Sequence, residues 1–361
     1  MDLEGLLRFA VKQGASDLHI QSAVKPMVRI AGQVRTVDVP PLGNEETRDF
    51  IASIAPESEQ PHLDAAIVEG LDFSYEMPGI SRFRCSAYSQ LGQVGITMRI
   101  IRADIPSIED LNLPKVIHDI ALARRGLTLI TGTTGSGKST TLAAMVDLIN
   151  QTHHCKIITI EDPVEYVHES KKALLCQLEV GADTPSFDHA LRQALRQDPD
   201  VILVGELRDV ETLRMALRAA DTGHQVFSTV HSADAPQTVE RIIAIFPPAE
   251  HKLLLSQLAH SIEAIISQRL VATEEGGRRP AVEILRGNAV TEKYILENRL
   301  AELHAYIETG ESGMQTFDQH LLALYNDEVI RTTEALRSAS NPEALSMSLR
   351  GIRRVGSGRK A

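Results

Sequence analysis

Gly132, Thr133, Thr134, Gly135, Ser136, Gly137, Lys138, Ser139 and Thr140 spell GTTGSGKST, which satisfies the spacing G-x-x-x-x-G-K-[ST]. Glycines at these places let successive backbone N–H groups curl around phosphate oxygens. A helix that starts where the loop ends adds a favourable partial positive charge. Lys138 is placed to reach the β- and γ-phosphates, and the Ser139 hydroxyl to ligate magnesium. The flanks suit the motif: a β-like apolar run at 127–131 precedes it, and Leu142, Met145, Val146 and Ile149 follow at helical spacing. The chemistry implied is capture of a magnesium–nucleoside triphosphate.

Capture alone does not give turnover, which needs carboxylates near the terminal phosphate. Many ATP-hydrolysing chains with such a loop end a neighbouring strand on a carboxylate that holds the magnesium shell. In DPDVILVGELRD (198–209) the apolar run 201–204 stops on Gly205, and Glu206 comes one step later. A second acidic exit lies in IITIEDPVEY (157–166), where Glu161 and Asp162 close an apolar run and Glu165 follows. In doubly wound sheets ligands lie at the carboxyl ends of the strands, so Glu161 and Glu206 are expected to converge there. One would orient or deprotonate the attacking water while the other holds the metal's hydration shell. The competing reading has Glu161 and Asp162 capping the next turn. TGHQVFSTVHSADA (222–235) brackets a further strand with His224 and His231. His231, at the strand exit, can bond the γ-phosphate and report its loss; either histidine can instead be a structural hydrogen bonder. The 13 histidines and 3 cysteines show no HxxxH or CxxC spacing, so zinc is not expected.

These residues need a frame. From residue 127 the chain alternates strand-like and helical segments. Runs at 127–131, 157–160, 201–204 and 225–230 are near-continuous apolar or β-branched stretches, as strands buried on both faces should be. Leu213, Ala216, Leu217 and Ala220 form a helical stripe closed by Gly223. A doubly wound α/β domain with a mostly parallel sheet is predicted over 118–361, mainly helical from about residue 250 and ending in a solvated basic tail, RRVGSGRK. Ahead of it, 1–103 reads as an α+β domain. Leu3, Leu6, Leu7, Ala10 and Val11 mark a first helix that stops near Gly14, and short alternating segments such as RFRCSAYS and QVGITMRII mark an antiparallel sheet with a helix at 44–54. Between the two, ADIPSIEDLNLPK breaks the pattern with prolines, and 104–117 is expected to be a linker and hinge.

A length of 361 residues suffices for two or three cores. A net charge of −11 with interspersed signs, no tryptophan and 4% aromatics argue against nucleic acid as a partner. Cys85, Cys155 and Cys176 stand too far apart to suggest a disulfide framework, and no apolar run approaches the ~18 residues of a spanning helix. A cytoplasmic location is expected.

Taken together, GTTGSGKSTTLAAM, TIEDPVEYVHESKK, LRQDPDVILVGELRD and TGHQVFSTVHS resemble the Walker A, Asp box, Walker B and His box of the secretion-superfamily ATPases. With ASDLHI near the start and GMQTFDQHLLALY near the end, the resemblance is to the type IV pilus retraction branch and covers essentially the whole chain. It implies a PAS-like N-terminal domain, a RecA-like P-loop ATPase domain with ATP and magnesium between the two, and a homohexamer. It also implies a peripheral position at the inner-membrane base of the pilus machine and a platform protein as partner; working alone or with a paralogous retraction ATPase are both open to it. By the same resemblance Glu161 is the candidate general base and Glu206 the magnesium-side carboxylate, roles that can be exchanged. Arg84 and Arg99 match the arginines sent to the phosphates, where a fixed guanidinium fork suits transition-state charge. One segment departs: GNAVTEKYILENR (287–299) stands where retraction enzymes carry an AIRNLIRE-like pattern, which touches coupling rather than hydrolysis. The alternatives are an assembly or secretion ATPase, or an accessory ATP-binding subunit modulating a partner motor.

Overall fold

A computed structural model describes residues 3–30, 32–101 and 104–351, which divide into two compact units. The first takes the described residues up to Asp104 together with Glu165–Val167, and the second the remainder. The basic tail and Ala103 lie outside the described residues.

In the first unit the order is α1 (Leu3–Lys12), β1 (Asp17–Gln21), β2 (Met27–Ile30), β3 (Gln33–Thr36), α2 (Asn44–Ile54), α3 (Leu63–Glu69), β4 (Leu71–Met77), β5 (Ser81–Gln90) and β6 (Gln93–Ile101). The strands form one antiparallel sheet ordered β3-β2-β1-β6-β5-β4. Alternation decides its faces. Leu18, Ile20, Phe83, Cys85, Ile96 and Met98 point into a core shared with Leu6 and Leu7 of α1, Ile51 of α2 and Ile67 of α3. Residues one step out of phase fall on the opposite face. Arg84 and Arg99, directly opposite each other across β5 and β6, are on that exposed face. Arg99 Nε also donates to the buried carboxylate of Asp17 at 3.0 Å.

The second unit begins with the proline-bearing stretch expected to be a linker. Ile108 and Leu113 are buried in one cluster with Ile117 and Ile120, so this stretch belongs to the unit's core and is not a free tether. There follow α4 (Val116–Ala121), β7 (Gly126–Thr131), α5 (Lys138–Thr152), β8 (Lys156–Glu161), β9 (Leu174–Glu179), α6 (Phe187–Ala194), β10 (Val201–Val204), α7 (Val210–Asp221), β11 (Gln225–Val230), α8 (Ala235–Ile245) and α9 (His251–Ser261). The remainder comprises β12 (Ile262–Ala272), β13 (Arg278–Arg286), α10 (Ala289–Leu296), α11 (Leu300–Ile307), α12 (Phe317–Asn326), α13 (Thr332–Ser338) and α14 (Pro342–Leu349). The sheet runs β13-β12-β7-β11-β10-β8-β9, parallel throughout except for the antiparallel hairpin β12–β13.

Beyond residue 250 the chain is mainly helical as expected, from α9 to α14, and that hairpin is an addition to it. The run IEAIISQRLVA follows α9 with no glycine or proline between them, and a two-sided buried run carries no period that separates strand from helix. β9 is a second addition, an edge strand with no buried apolar face of its own. The degraded segment 287–299 still folds as a capped helix: Asn288 accepts from the N–H groups of Val290 and Thr291, and the Arg299 guanidinium lies 5.1 Å from the centre of the Tyr294 ring.

One carboxylate in this frame carries a pH-dependent cost. Glu283 of β13 is 1% exposed and accepts the N–H of Ala235, the first residue of α8, at 3.0 Å. Burial pushes its carboxyl up to about 7, helped by nearby Asp234 and opposed by that N–H, His304 and Arg269. A folded value raised above the unfolded one means the native state holds the proton longer. Stability therefore falls as pH rises from about 4.5 to about 7, and the loss persists above that range. Glu283→Gln is expected to remove that slope. Denaturant titrations at pH 5 and pH 8 should show the variant gaining on the wild type by about 3 kcal/mol between the two.

Candidate nucleotide-hydrolysis site

Parallel strands place their carboxyl ends on one edge. Ile160, Val204, Ser228 and Leu129 lie in a single row across β8, β10, β11 and β7. Glu161, Glu206, His231 and Gly132 each follow within three residues of that row, so all four leave the sheet at the same edge. Neighbouring strands are about 4.8 Å apart, which sets Glu206 one strand closer than Glu161 to the glycine-rich loop.

The loop itself is shaped by backbone that only glycine tolerates. Gly132, at φ +143°, lies so close to the backbone oxygen of Gln268 that a Cβ would collide with it. At Gly137, φ +91°, a Cβ would come 2.8 Å from the Gln268 Nε2. Thr133, Thr134 and Gly135 are exposed at the tip; Ser136 and Lys138 are buried at the base, and Ser139 and Thr140 are half-buried. Helix α5 starts at Lys138, so the positive end of its dipole meets the loop. Lys138 Nζ donates to the carbonyl oxygens of Gly132 at 3.0 Å and Thr133 at 3.1 Å. The Ser136 hydroxyl, 3% exposed, has no hydrogen-bond partner. A cradle too narrow for a Cβ, a buried ammonium and an orphaned hydroxyl together fit a polyphosphate chain.

Sequence reading missed what fixes this loop. Gln268 of β12, 2% exposed, donates from Nε2 to the Ser136 carbonyl at 2.7 Å and accepts from Thr141 Oγ1 at 2.8 Å. Beside it, Thr131 Oγ1 donates to Ser267 Oγ at 2.9 Å. The only signal was a polar Ser-Gln pair inside an apolar run. Next to the loop a cavity of about 450 Å³ is bordered by Gly137, Thr140, Leu111, Leu270, Asp110 and Arg278.

The acidic exits have defined partners. Glu206 is ion-paired with Arg208 at 2.8 Å and faces His231 Nε2 at 3.5 Å. The His231 carbonyl accepts in turn from Arg241. The pairing of Arg208 with Glu206 was not anticipated; the i, i+2 spacing in GELRD was its trace. Glu161 Oε1 accepts from Thr159 Oγ1 at 2.7 Å and from Gln177 Nε2 at 3.2 Å. His224 is not brought to this group. It precedes β11, at the opposite edge of the sheet and roughly 20 Å of strand from His231. There its Nδ1 donates to the Ala219 carbonyl at 2.9 Å, a cap on the end of α7. The site role expected of it gives way to that structural one. Magnesium favours hard oxygen ligands and keeps several waters, being held through one or two side chains plus phosphates. Ser139 and Glu206 supply oxygen of that kind. No helix among the described residues is long and apolar enough to cross a membrane.

The comparisons with known proteins agree with one another. A family model described as "Type II/IV secretion system protein" matches residues 2–317. The type IV pilus retraction ATPase PilT of Pseudomonas aeruginosa is 44% identical over 344 residues, covering 95% of this chain and 99% of that protein. The type IV pilus ATPase PilU of the same organism is 40% identical, with 97% and 92% covered. Among solved structures, the crystal structure of the pilus retraction motor PilT with bound ADP superposes with a TM-score of 0.89 at 41% identity, covering 95% of this chain and 98% of that one. On this evidence the chain belongs to the type II/IV secretion system protein family, in its pilus retraction ATPase branch.

Proposed function

We propose that the chain is an ATPase that works as a homohexameric motor and drives retraction of a type IV pilus from the cytoplasmic base of the inner membrane. Hydrolysis is supported by the loop and two carboxylate-bearing strand exits on one sheet edge, and the pilus role by the similarity to PilT over nearly the whole chain. In the proposed reaction Lys138 and the loop N–H groups hold the β- and γ-phosphates. Ser139 and, through water, Glu206 hold magnesium, which when bound offsets the charge on the phosphate oxygens. Glu161 takes a proton from the attacking water, and His231, already within reach of Glu206, senses whether the γ-phosphate is present. Arg84 and Arg99 offer guanidinium charge to the transition state in the assembled ring. The cavity between Leu111 and Leu270 takes the nucleoside. A membrane platform protein receives the stroke, and a paralogous ATPase of the same branch is a second candidate partner.

Deleting the gene and imaging surface fibres tests the cellular role. The expected cells are hyperpiliated and do not move by twitching, because fibres are built but not withdrawn. Bald cells would instead assign the chain to assembly.

A further inference from the structure

β9, the edge strand absent from the sequence-level reading, presents two polar side chains on one face. Thr159 and Glu161 of β8 sit opposite Gln177 and Glu179 of β9. Between the two strands the chain makes an excursion over 162–173, and β9 holds it near its start and at its middle. Glu179 Oε2 accepts the N–H of Val164 at 3.1 Å, and Gln177 Oε1 accepts the N–H of His168 at 2.8 Å. The amide of Gln177 has two ends, and its other end donates to Glu161 Oε1. One side chain thus joins the candidate base to the loop that follows it.

That loop is in turn fastened to helix α5. Asn150, fully buried, accepts the N–H of Lys171 on Oδ1 at 2.9 Å and donates from Nδ2 to the Glu169 carbonyl at 2.8 Å. Lys171 Nζ lies 2.6 Å from Asp147 Oδ1. The first turn of the same helix carries Lys138 and Ser139. Hydrogen bonds, joined through the backbone of residues 168–171, therefore link the helix that bears the phosphate loop to Gln177 and the carboxylate of Glu161.

We propose that Gln177 is a positioning residue for hydrolysis: its amide sets the rotamer of Glu161 and ties that carboxylate to the helix carrying the nucleotide loop. A carboxylate at the end of a freely rotating side chain is a poor base unless its oxygen is held within reach of the water, and geometry of this kind governs rate more than binding. The proposal rests on the reading of Glu161 as general base. Gln177 touches no phosphate-loop residue in the network above, so nucleotide affinity should not depend on it.

The test uses the full-length chain under steady-state ATP turnover, with Gln177→Met, which keeps the bulk and removes both ends of the amide, and Gln177→Glu, which keeps only the acceptor for His168. Both are expected to lower kcat roughly tenfold, as loss of a hydrogen bond to a charged group implies, with KM and ADP affinity within about twofold of wild type. In a Glu161→Gln background, Gln177→Met should cost nothing further, since the two act as a unit. A tenfold loss of ADP affinity, or a lowered melting temperature, alongside the fall in kcat would overturn positioning in favour of a folding role. Loss of turnover in Glu161→Gln beside unchanged kcat in both Gln177 variants would overturn the proposal alone. Full turnover in Glu161→Gln would overturn the base assignment and this proposal together.

Discussion

Glutamine in place of Glu161 is expected to lower steady-state ATP hydrolysis by about 10²–10⁴-fold, the range over which a general base contributes, while ADP binding stays within about twofold. The substitution is informative because of what it preserves. The glutamine carbonyl can still accept from Thr159 Oγ1 and Gln177 Nε2, which donate to Glu161 now. Only the negative charge, and with it the capacity to take a proton, is removed. The comparison that assigns roles is Glu206→Gln. If Glu206 serves the magnesium side, its loss raises the magnesium concentration needed for half-maximal rate, whereas loss of Glu161 does not. Wild-type turnover in Glu161→Gln would remove it from the mechanism.

Lys138→Ala attacks the step before. Lys138 is 9% exposed and its ammonium donates to two carbonyls of the loop itself, so it is already buried among groups that a polyphosphate would join. Removing the charge is expected to weaken ATP binding on the order of a hundredfold and to abolish measurable turnover, as loss of charge-assisted contacts to two phosphates implies. Fluorescent-nucleotide titration with the purified chain reads this directly. An unchanged affinity would mean that the phosphates do not lie in this loop. The two variants also separate binding from chemistry: one should empty the site, the other should fill it and stall.

The legible parts of this molecule were those where one local rule acts alone. The strands at 201–204 and 225–230 read correctly to the residue because they are too short for a helix and are flanked by turn residues, Pro199 and Gly205 for one and Gly223 for the other. The phosphate loop was legible because its glycines answer steric demands that no other residue meets. The alternation in β5 and β6 was likewise enough to put Arg84 and Arg99 on strands, though only the register shows them side by side. What was not legible depended on distant pairing. Gln177 and Gln268 are unremarkable in sequence, and each acquires its place from a neighbouring strand. The histidines follow a simpler rule: His224 and His231 bracket one strand, so its length alone sends them to opposite edges of the sheet, one to the carboxylates and one to a helix end.

The brace that Gln268 lays across the nucleotide loop has a consequence for how the protein is made. Its two bonds reach back 127 and 132 residues along the chain. On a ribosome, the loop and the helix behind it emerge long before the strand that steadies them. A nascent chain ending ahead of β12 carries every letter of the phosphate-binding motif without the part that sets its shape. The brace therefore cannot form until β12 has been made, well over a hundred residues after the motif it steadies.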